Sequence, residues 1–368
     1  MIYSTKMTES GEIMTIKELS QILSVSPGTI DRVIHNRGRV SDKTATRVRE
    51  CLEKYNYVAN TNGQALATIR KKHSVAVITC TKNIYFDKIM QKGLTDNYNI
   101  LTSLGVEIHN LGYSVRTEDE ISKLLQKAIS LNVDALIINT PSFDKVNGLL
   151  KQLKEKGCFI VALNNKLPES IQNVFIGHDN FSSARTAMQL LLSQLPKHSS
   201  VLVIAGDKDE PTHVERLNGA MSYYSEYGKD YELLDTITLS LKEPLKDMKI
   251  RLKSTCNSRK IDGVLILSLF NHLPKSILSY QNSKNAIIGA FDLTTENIDL
   301  LLNGSISFIL EQNPYHQSKK CIEIIKNFFT LNEKFPSDYH TDITIVTKEN
   351  IGTYLENHHY ILTGSNNG

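Results

Sequence analysis

Residues 15–72 read TIKELSQILSVSPGTIDRVIHNRGRVSDKTATRVRECLEKYNYVANTNGQALATIRKK, and their pattern differs from everything that follows. The stretch begins with a predicted short helix, whose apolar side chains recur at helical spacing: Ile16, Leu19, Ile22 and Leu23. Thr15 is placed to cap this helix, and Glu18 lies three residues later as its reciprocal partner.

A second helix is predicted after a turn at Ser24. Ser26 followed by Pro27 is typical of a helix start, because serine accepts a hydrogen bond from an otherwise unpaired N–H group and proline has no N–H to lose there. The second helix has an apolar side formed by Ile30, Val33 and Ile34.

A third helix is predicted from the cap residue Ser41, with an apolar side formed by Val48, Leu52 and Tyr55. Two short helices joined by a tight turn and backed by a third form the helix-turn-helix arrangement, whose second helix enters the major groove of DNA. The alternative is a small helical bundle without a ligand.

The charge of the chain is concentrated in this segment. Residues 14–72 hold eleven Lys and Arg against five Asp and Glu, a net charge of +6, whereas the whole chain carries only +3. A local positive field of this kind attracts a polyanion.

The segment closely resembles the head of the LacI/GalR transcription regulators. The resemblance lies in VSPGTIDRVIHNRGRVSDKT, NYVAN and QALA, against a family signature of VSxxTVSRVxN, VSxxTxxxV, NYxPN and a hinge ending in LA. It implies a DNA-binding domain over residues 14–59, after an extension at 1–13 that we expect to be disordered.

The resemblance places several polar side chains on positions that contact DNA: Thr29, Arg32, Ser41, Thr44 and Asn60. Arginine suits a bidentate contact to guanine, and hydroxyls and amides suit phosphate oxygens. Pro27 and Gly28 occupy the positions that most often select bases in the family, and neither offers a side-chain hydrogen bond. We therefore expect Asp31 and Arg39 to contribute to base reading together with DNA shape.

Residues 60–72 are predicted to be a hinge. In the family this segment becomes helical on operator DNA and inserts a leucine into the minor groove, and Leu66 occupies that place here. Gly63 lowers helix propensity by about 1 kcal/mol relative to alanine, so order is expected to depend on binding. The alternative is a flexible linker with no role on DNA.

The bulk composition is that of an ordinary globular chain, with 40% hydrophobic and 22% charged residues among 368. The start of the sequence has no apolar segment typical of secretion, and no run is long enough to span a membrane, so we expect a cytoplasmic protein. The five cysteines are far apart and include no CxxC pair, which argues against a zinc site or a disulfide framework.

From Ser74 onward, short apolar runs alternate with amphipathic helical patterns. This alternation predicts an α/β fold with parallel sheets covered on both faces. Buried strands are predicted at 74–80, 106–112, 134–140, 158–164, 200–206, 262–268, 286–291 and 305–310.

A Rossmann enzyme or a barrel has the same alternation, so we searched for catalytic motifs. The sequence contains no GxGxxG after the first strand, no GxxxxGK[ST], no HExxH and no GxSxG. We therefore predict neither an enzyme nor a cofactor or metal site.

The second part of the chain resembles the type I periplasmic-binding-protein fold, which forms the effector half of LacI regulators. The similarity is carried by NIYF (83–86), GHDN (177–180), ERLNGA (215–220), FD (291–292) and EQNP (311–314). It implies an effector domain over 73–368 with two lobes, each a doubly wound parallel sheet. We expect one lobe at about 73–176 and 294–332, and the other at about 177–293 and 333–368.

This resemblance implies a ligand site between the lobes, at the carboxyl ends of the strands. The residues expected to contact the effector are Asn83, Tyr85, Phe86, Asn164, Asn165, Asp179, Asn180, Arg216, Ser268, Asp292 and Gln312. Asn164 and Asn165 stand where sugar binders often have Asp-Arg, which disfavours a simple aldose. Planar polar groups beside aromatic rings nevertheless favour a saccharide or sugar acid.

The sequence thus predicts a multidomain protein, with an all-α helix-turn-helix head before a two-lobed α/β domain. Its predicted function is that of a homodimeric repressor that binds a pseudo-palindromic operator under control of a small ligand. One rival is a solute-binding protein without a regulatory role, and another is an enzyme that uses the lobes to hold its substrate.

Overall fold

The computed structural model describes residues 16–34, 38, 40–54, 72–81, 85–115, 117–141, 143–240, 243–268, 273–331 and 334–357. The head consists of three helices: α1 (Ile16–Leu23), α2 (Pro27–Ile34) and α3 (Asp42–Lys54). Their core is formed by Leu19, Leu23, Ile30, Val33, Ala45, Val48 and Cys51. The expectation that Ile22 belongs to the apolar side of α1 is wrong, because its side chain is half exposed.

Residues 73–325 and 335–357 contain two six-stranded sheets. The strands of the first sheet are β1 (Ser74–Ile78), β2 (Glu107–Asn110), β3 (Ala135–Ile138), β4 (Phe159–Leu163), β5 (Val174–His178) and β11 (Asp338–Thr341). They lie in the order β11-β5-β4-β3-β1-β2, and all their pairings are parallel.

The second sheet repeats this arrangement in the order β12-β10-β9-β8-β6-β7. Its strands are β6 (Ser200–Ala205), β7 (Glu232–Thr238), β8 (Gly263–Ile266), β9 (Ile287–Phe291), β10 (Phe308–Glu311) and β12 (Thr344–Val346). The pairing of β12 with β10 is antiparallel, and the other pairings are parallel.

Helices connect most of these strands. They are α4 (Tyr85–Thr95), α5 (Asn99–Thr102), α6 (Glu118–Leu131), α7 (Asp144–Glu155), α8 (Asn180–Ser193), α9 (Pro211–Tyr227), α10 (Leu245–Ser258), α11 (Leu273–Leu278), α12 (Thr295–Leu302), α13 (Pro314–Thr330) and α14 (Ile351–Asn357). Within the described ranges, no helix combines the length and apolar character needed to cross a membrane.

The central strands read as continuous apolar runs because both faces of each sheet are covered. The burial of β3 and β4 is complete along their length. Strand β2, by contrast, lies at the edge of its sheet, and Glu107 is exposed. The prediction of a buried strand at 106–112 is therefore wrong, since an edge strand keeps one side in water.

The sheets correct the expected lobe boundaries at the carboxyl-terminal end. Strand β10 pairs with β9 in the second sheet, although 294–332 was assigned to the first lobe. Strand β11 pairs with β5 in the first sheet, although 333–368 was assigned to the second. The unit β9-α12-β10 is a parallel crossover, which normally places the two strands of one such unit in the same sheet.

Both sheets place their first strand between the second and third, so each has a topological switch point. Ligands of open α/β sheets bind outside the carboxyl ends of the strands near such points. Asn164 directly follows β4, and Asp292 directly follows β9, which is the equivalent strand of the second sheet. Both residues adopt left-handed backbone conformations, with φ of 66° and 67°.

Candidate functional site

Helix α2 starts as its sequence predicts. The Thr29 N–H donates a hydrogen bond to Ser26 Oγ at 3.1 Å, and the two hydroxyl oxygens lie 2.9 Å apart. Ile30 and Val33 bury one side of α2, which leaves Arg32 exposed and Thr29 and Asp31 partly exposed. Three of the predicted DNA contacts therefore lie on the uncovered side of one short helix.

Helix α3 uses the same capping device. The Thr44 N–H donates to Ser41 Oγ at 3.3 Å, and the two hydroxyls lie 2.9 Å apart. Arg47 donates from Nη2 to the carbonyl oxygen of Leu23 at 3.3 Å, which joins α3 to the end of α1. Ser41 is exposed and Thr44 is partly exposed, so both hydroxyls remain near the surface.

The structure leaves Gly28 open. A Cβ atom built on this residue would meet only Ser26 Oγ, at 3.8 Å. Packing in the head therefore does not explain why glycine occupies a position that often selects bases in LacI relatives.

Several predicted residues lie outside the described part of the chain. They are Arg39, Asn60 and Leu66 of the DNA-contacting set, the hinge segment up to residue 71, and Asn83 of the effector set.

The α/β unit contains a cavity of about 300 Å³. Its floor includes the residues that directly follow β4 and the end of β5, and its other side is formed by the starts of α8 and α9. The lining residues are Pro141, Asn164, Asn165, Lys166, Phe175, His178, Asp179, Asn180, Phe181, Pro211, Thr212, Glu215 and His340. The cavity thus lies at the carboxyl ends of strands, as expected for a small-molecule site.

Four of the predicted effector residues line this cavity: Asn164, Asn165, Asp179 and Asn180. Asn165 is buried and donates from Nδ2 to Asn139 Oδ1 at 3.3 Å. The Asn139 carbonyl oxygen in turn accepts a hydrogen bond from the Tyr113 hydroxyl at 2.6 Å. These contacts fix the amide of Asn165 at the cavity wall.

Asp179 caps the amino terminus of α8. Its Oδ1 accepts a hydrogen bond from the Ser182 N–H at 2.8 Å, and its Oδ2 accepts one from the Ser182 hydroxyl at 2.7 Å. Partial burial opposes ionisation of Asp179, but these two hydrogen bonds outweigh it and lower the pKa of the carboxyl. Asp179 therefore presents a carboxylate to the cavity.

Arg216 lies immediately behind Asn180 and is 3% exposed. Its Nε donates to Asn180 Oδ1 at 2.9 Å, its Nη1 donates to the Leu267 carbonyl oxygen at 3.1 Å, and the same Nη1 lies 3.7 Å from Asp292 Oδ2. The guanidinium also stacks over the Phe291 ring at 4.4 Å. Burial lowers the pKa of Arg216, and the negative charges of Asp292 and Glu311 oppose that shift.

Asp292 and Gln312 extend this buried network. Gln312 donates from Nε2 to Asp292 Oδ1, and Asn297 donates from Nδ2 to the Asp292 carbonyl oxygen at 3.0 Å. Asp292 is 6% exposed and Gln312 is 4% exposed. Together with Arg216 they position Asn180 from behind and are not themselves part of the cavity lining.

The remaining predicted effector residues are also not part of the lining. Ser268 is buried, and its hydroxyl lies 3.1 Å from His213 Nε2. Tyr85 packs against the core of the second sheet, and its pKa is raised by burial and by the nearby Glu311. Phe86 is partly exposed on α4.

Nine of the thirteen lining residues were not part of the sequence prediction, and they include His178, Phe181, Thr212, Glu215 and His340. His178 lies inside the GHDN motif, so its position between a buried strand and a capping aspartate is a usable signal. His340 belongs to β11, a short polar strand that no apolar pattern predicts. Among the described residues, no group of three or more His, Cys, Asp or Glu is arranged to hold a metal ion.

Residues 75–333 match the family described as periplasmic binding protein domain, and residues 15–60 match the one described as bacterial regulatory proteins, lacI family. The first match covers more than half of the chain. The chain therefore belongs to the periplasmic-binding-protein-domain family and carries a lacI-type DNA-binding domain in front of that fold. This two-part architecture is that of the LacI-family transcriptional regulators.

Individual relatives agree with this assignment at low identity. The probable HTH-type transcriptional repressor ExuR of Bacillus subtilis is 22% identical over 57% of this chain and 60% of its own length. The ribose operon repressor of the same species is 22% identical over 62% of this chain and 66% of its own length. The chain thus spans less than two thirds of either relative.

A solved structure shares the fold of the α/β unit. It is an ABC transporter solute binding protein from Burkholderia graminis in complex with D-arabinose, with a TM-score of 0.67 and 20% identity. The similarity covers 77% of this chain and 98% of that chain.

Proposed function

We propose that this protein is a homodimeric transcriptional repressor whose binding to operator DNA is controlled by a saccharide. The observation that carries the proposal is the presence, in one chain, of a lacI-type head and an α/β unit with a polar cavity at the carboxyl ends of its strands. In this proposal the protein acts in the cytoplasm, uses no cofactor and catalyses no reaction.

The head supports the DNA-binding part of the proposal. Arg32 is exposed on α2 while Ile30 and Val33 hold that helix against the core, so the helix can enter a major groove without unpacking the head. A two-fold dimer presents two such helices to the two halves of a pseudo-palindromic site. Thr29, Ser41 and Thr44 then position the head on phosphate groups.

The cavity supports a saccharide as the effector. Amide groups of Asn164 and Asn165 and the hydroxyl of Thr212 supply hydrogen-bonding partners, and Phe175 and Phe181 supply apolar ring surface. Each buried hydroxyl of a ligand needs such a partner, and the ring faces cover its C–H groups. One relative is named for a ribose operon, and the solute binding protein holds D-arabinose.

Selection from a pool of random duplex DNA with the purified full chain tests the regulatory proposal. We expect enrichment of one pseudo-palindromic sequence, with affinity that falls steeply as salt increases because phosphate contacts release counterions. A pool without enriched sequence after repeated rounds would contradict it and favour the rival solute-binding role, which the likeness to the arabinose-bound protein supports.

The hinge prediction has its own test on the enriched duplex. Leu66→Ala removes the proposed minor-groove wedge, and we expect a weaker DNA bend and weaker binding. The matched substitution Leu300→Ala, in α12, controls for loss of a leucine elsewhere. An unchanged bend and affinity in Leu66→Ala would leave the hinge as a simple linker.

A further inference from the structure

One histidine of the cavity lining has a buried ring that makes no hydrogen bond. His178 ends strand β5 and is 2% exposed. Both of its ring nitrogens are shielded from water and lack a hydrogen-bond partner among the described residues. A buried polar group left without a partner destabilises the fold, so such groups are rare unless a ligand or an ordered water uses them.

Three neighbouring polar groups of the lining already have a partner within the protein. Asn165 donates to Asn139, Asn180 accepts from Arg216, and Asp179 accepts from Ser182. His178 is therefore a lining residue whose hydrogen-bonding capacity is still available to a ligand.

The ring of His178 is neutral. Burial lowers its pKa to about 3, and the positive charge of Arg216 acts in the same direction, against the opposing effect of Asp179. A neutral imidazole carries one N–H donor and one nitrogen acceptor. A hydroxyl group can satisfy either nitrogen because it both donates and accepts.

The charges around the cavity disfavour an anionic ligand. Asp179 and Glu215 contribute carboxyl groups to the lining. Lys166 also lines the cavity, but its Nζ lies 3.2 Å from Asp338 Oδ2 and 5.1 Å from the centre of the Phe175 ring. No lysine or arginine among the described lining residues is therefore left without an acidic partner to receive a ligand carboxylate.

We propose that His178 hydrogen-bonds a hydroxyl group of the effector, and that the cleft consequently selects a neutral saccharide over the matching sugar acid. This inference rests on the proposed saccharide site. Because both nitrogens are shielded by the surrounding residues, binding requires the ring to rotate toward the ligand or the cavity walls to shift around it.

Isothermal titration calorimetry on the full chain tests the ligand class, since the chain has no tryptophan to report binding by fluorescence. The probes are D-ribose, D-arabinose, the disaccharides sucrose, maltose and cellobiose, and two matched pairs, D-glucose with D-glucuronate and D-galactose with D-galacturonate. We expect a neutral sugar to bind and its acid to bind at least about tenfold more weakly. Tighter binding of an acid would overturn the selection for neutral ligands.

Substitutions of His178 test the contact itself, with the sugar that binds best. We expect His178→Ala to weaken binding about tenfold, which is the usual loss when one hydrogen bond to a ligand is removed. His178→Asn and His178→Gln restore an amide near the positions of Nδ1 and Nε2, respectively. If one of these two variants recovers the affinity for the sugar, it identifies the ring nitrogen that binds the hydroxyl group. The two variants also keep the test possible if His178→Ala fails to fold.

His316→Asn is the matched control, because His316 is an exposed histidine of α13 that does not line the cavity. We expect its affinity to stay within about threefold of the unmodified chain. Undiminished sugar binding in all folded His178 variants would overturn the contact and leave the saccharide proposal standing. If no probe binds the unmodified chain, both the contact and the saccharide proposal fail, whereas DNA selection still judges the regulatory function.

Discussion

The head and the α/β unit hold their candidate binding groups in opposite environments. Arg32 and Ser41 of the head are exposed, whereas Arg216, Asp292 and Gln312 near the cavity are almost completely buried. Exposed groups exchange water for a partner and contribute little to folding, while a buried polar network must be satisfied before any ligand arrives. Substitution of an exposed DNA-contacting side chain such as Arg32 should therefore affect binding alone, and substitutions in the network should affect stability as well.

Arg216→Met is expected to produce the largest effect. It removes the donor to Asn180 and the cation beside Asp292, and loss of one partner of a buried ion pair typically lowers the free energy of unfolding by about 3–5 kcal/mol. Urea denaturation of the full chain measures it.

The matched control is Arg185→Met, which breaks a bidentate pair with Glu226 near the surface, where the two side chains are 27% and 45% exposed. Ion pairs at the surface contribute little to stability, so the urea midpoint of Arg185→Met should hardly change. If Arg216→Met and Arg185→Met lowered the free energy of unfolding equally, the buried arginine would contribute no more to stability than the arginine near the surface, which would contradict the account.

Acid should destabilise the α/β unit through His178. Its pKa is about 3 in the folded chain against 6.5 as the ordinary value, so the unfolded chain binds the extra proton between these values. Stability is complete above pH 6.5 and falls as the pH is lowered, by about 2 kcal/mol at pH 5. Urea midpoints at several pH values should show this slope, and His178→Asn should reduce it.

In this experiment His316→Asn is the control, since that side chain is exposed on α13 and is not among the groups that shift the pKa of His178. A slope that persists fully in His178→Asn would show that other groups cause the acid sensitivity.

Arg32→Ala should weaken binding to the enriched duplex about tenfold, the usual loss for one base-contacting arginine. Because Arg32 is exposed, the thermal midpoint should not change. Fluorescence anisotropy measures the affinity.

The control is Lys229→Ala, which removes the same charge from an exposed position of the α/β unit and should leave DNA binding unaltered. If both variants lost the same DNA affinity, the loss would reflect net charge and not a contact made by Arg32.

Gly28→Ala is expected to give the smallest effect and the opposite sign. An added Cβ has open space there, and alanine favours a helix over glycine by about 0.5–1 kcal/mol, so the head should become slightly more stable. Gly219→Ala is the matched change in α9, where the Cβ would lie 2.2 Å from the Phe181 carbonyl oxygen and must destabilise the unit. Differential scanning calorimetry should show a higher melting temperature for the head in Gly28→Ala and a lower one for the α/β unit in Gly219→Ala.

Local patterns predicted local structure well. The caps at Ser26 and Ser41 are confirmed, because both depend on residues within one helical turn. Thr117 and Glu120, at the start of α6, also match the sequence pattern of a capping box, and the structure forms only half of it. Thr117 caps the helix, but Glu120 accepts hydrogen bonds from the Ser114 and Val115 N–H groups.

Features that depend on distant parts of the chain were not predictable in this way. Strand β11, DYHT, has no apolar pattern and joins the first sheet only because β5 offers it an open edge. That pairing places Thr341 opposite His178 and contributes to the burial of the histidine. The sequence pattern therefore predicted that the site lies at the ends of strands. It could not predict which polar side chains at these ends, such as His178, lack a hydrogen-bond partner among the described residues.

The central claim is that DNA and a saccharide bind to separate sites of one chain and influence each other. Anisotropy titrations of the enriched duplex, with and without the saturating best-binding sugar, test it most directly. We expect the sugar to change DNA affinity by at least about fivefold, and the duplex to change sugar affinity by the same factor, since coupling between two sites is reciprocal. Identical DNA affinity in the presence and absence of bound sugar would contradict the account.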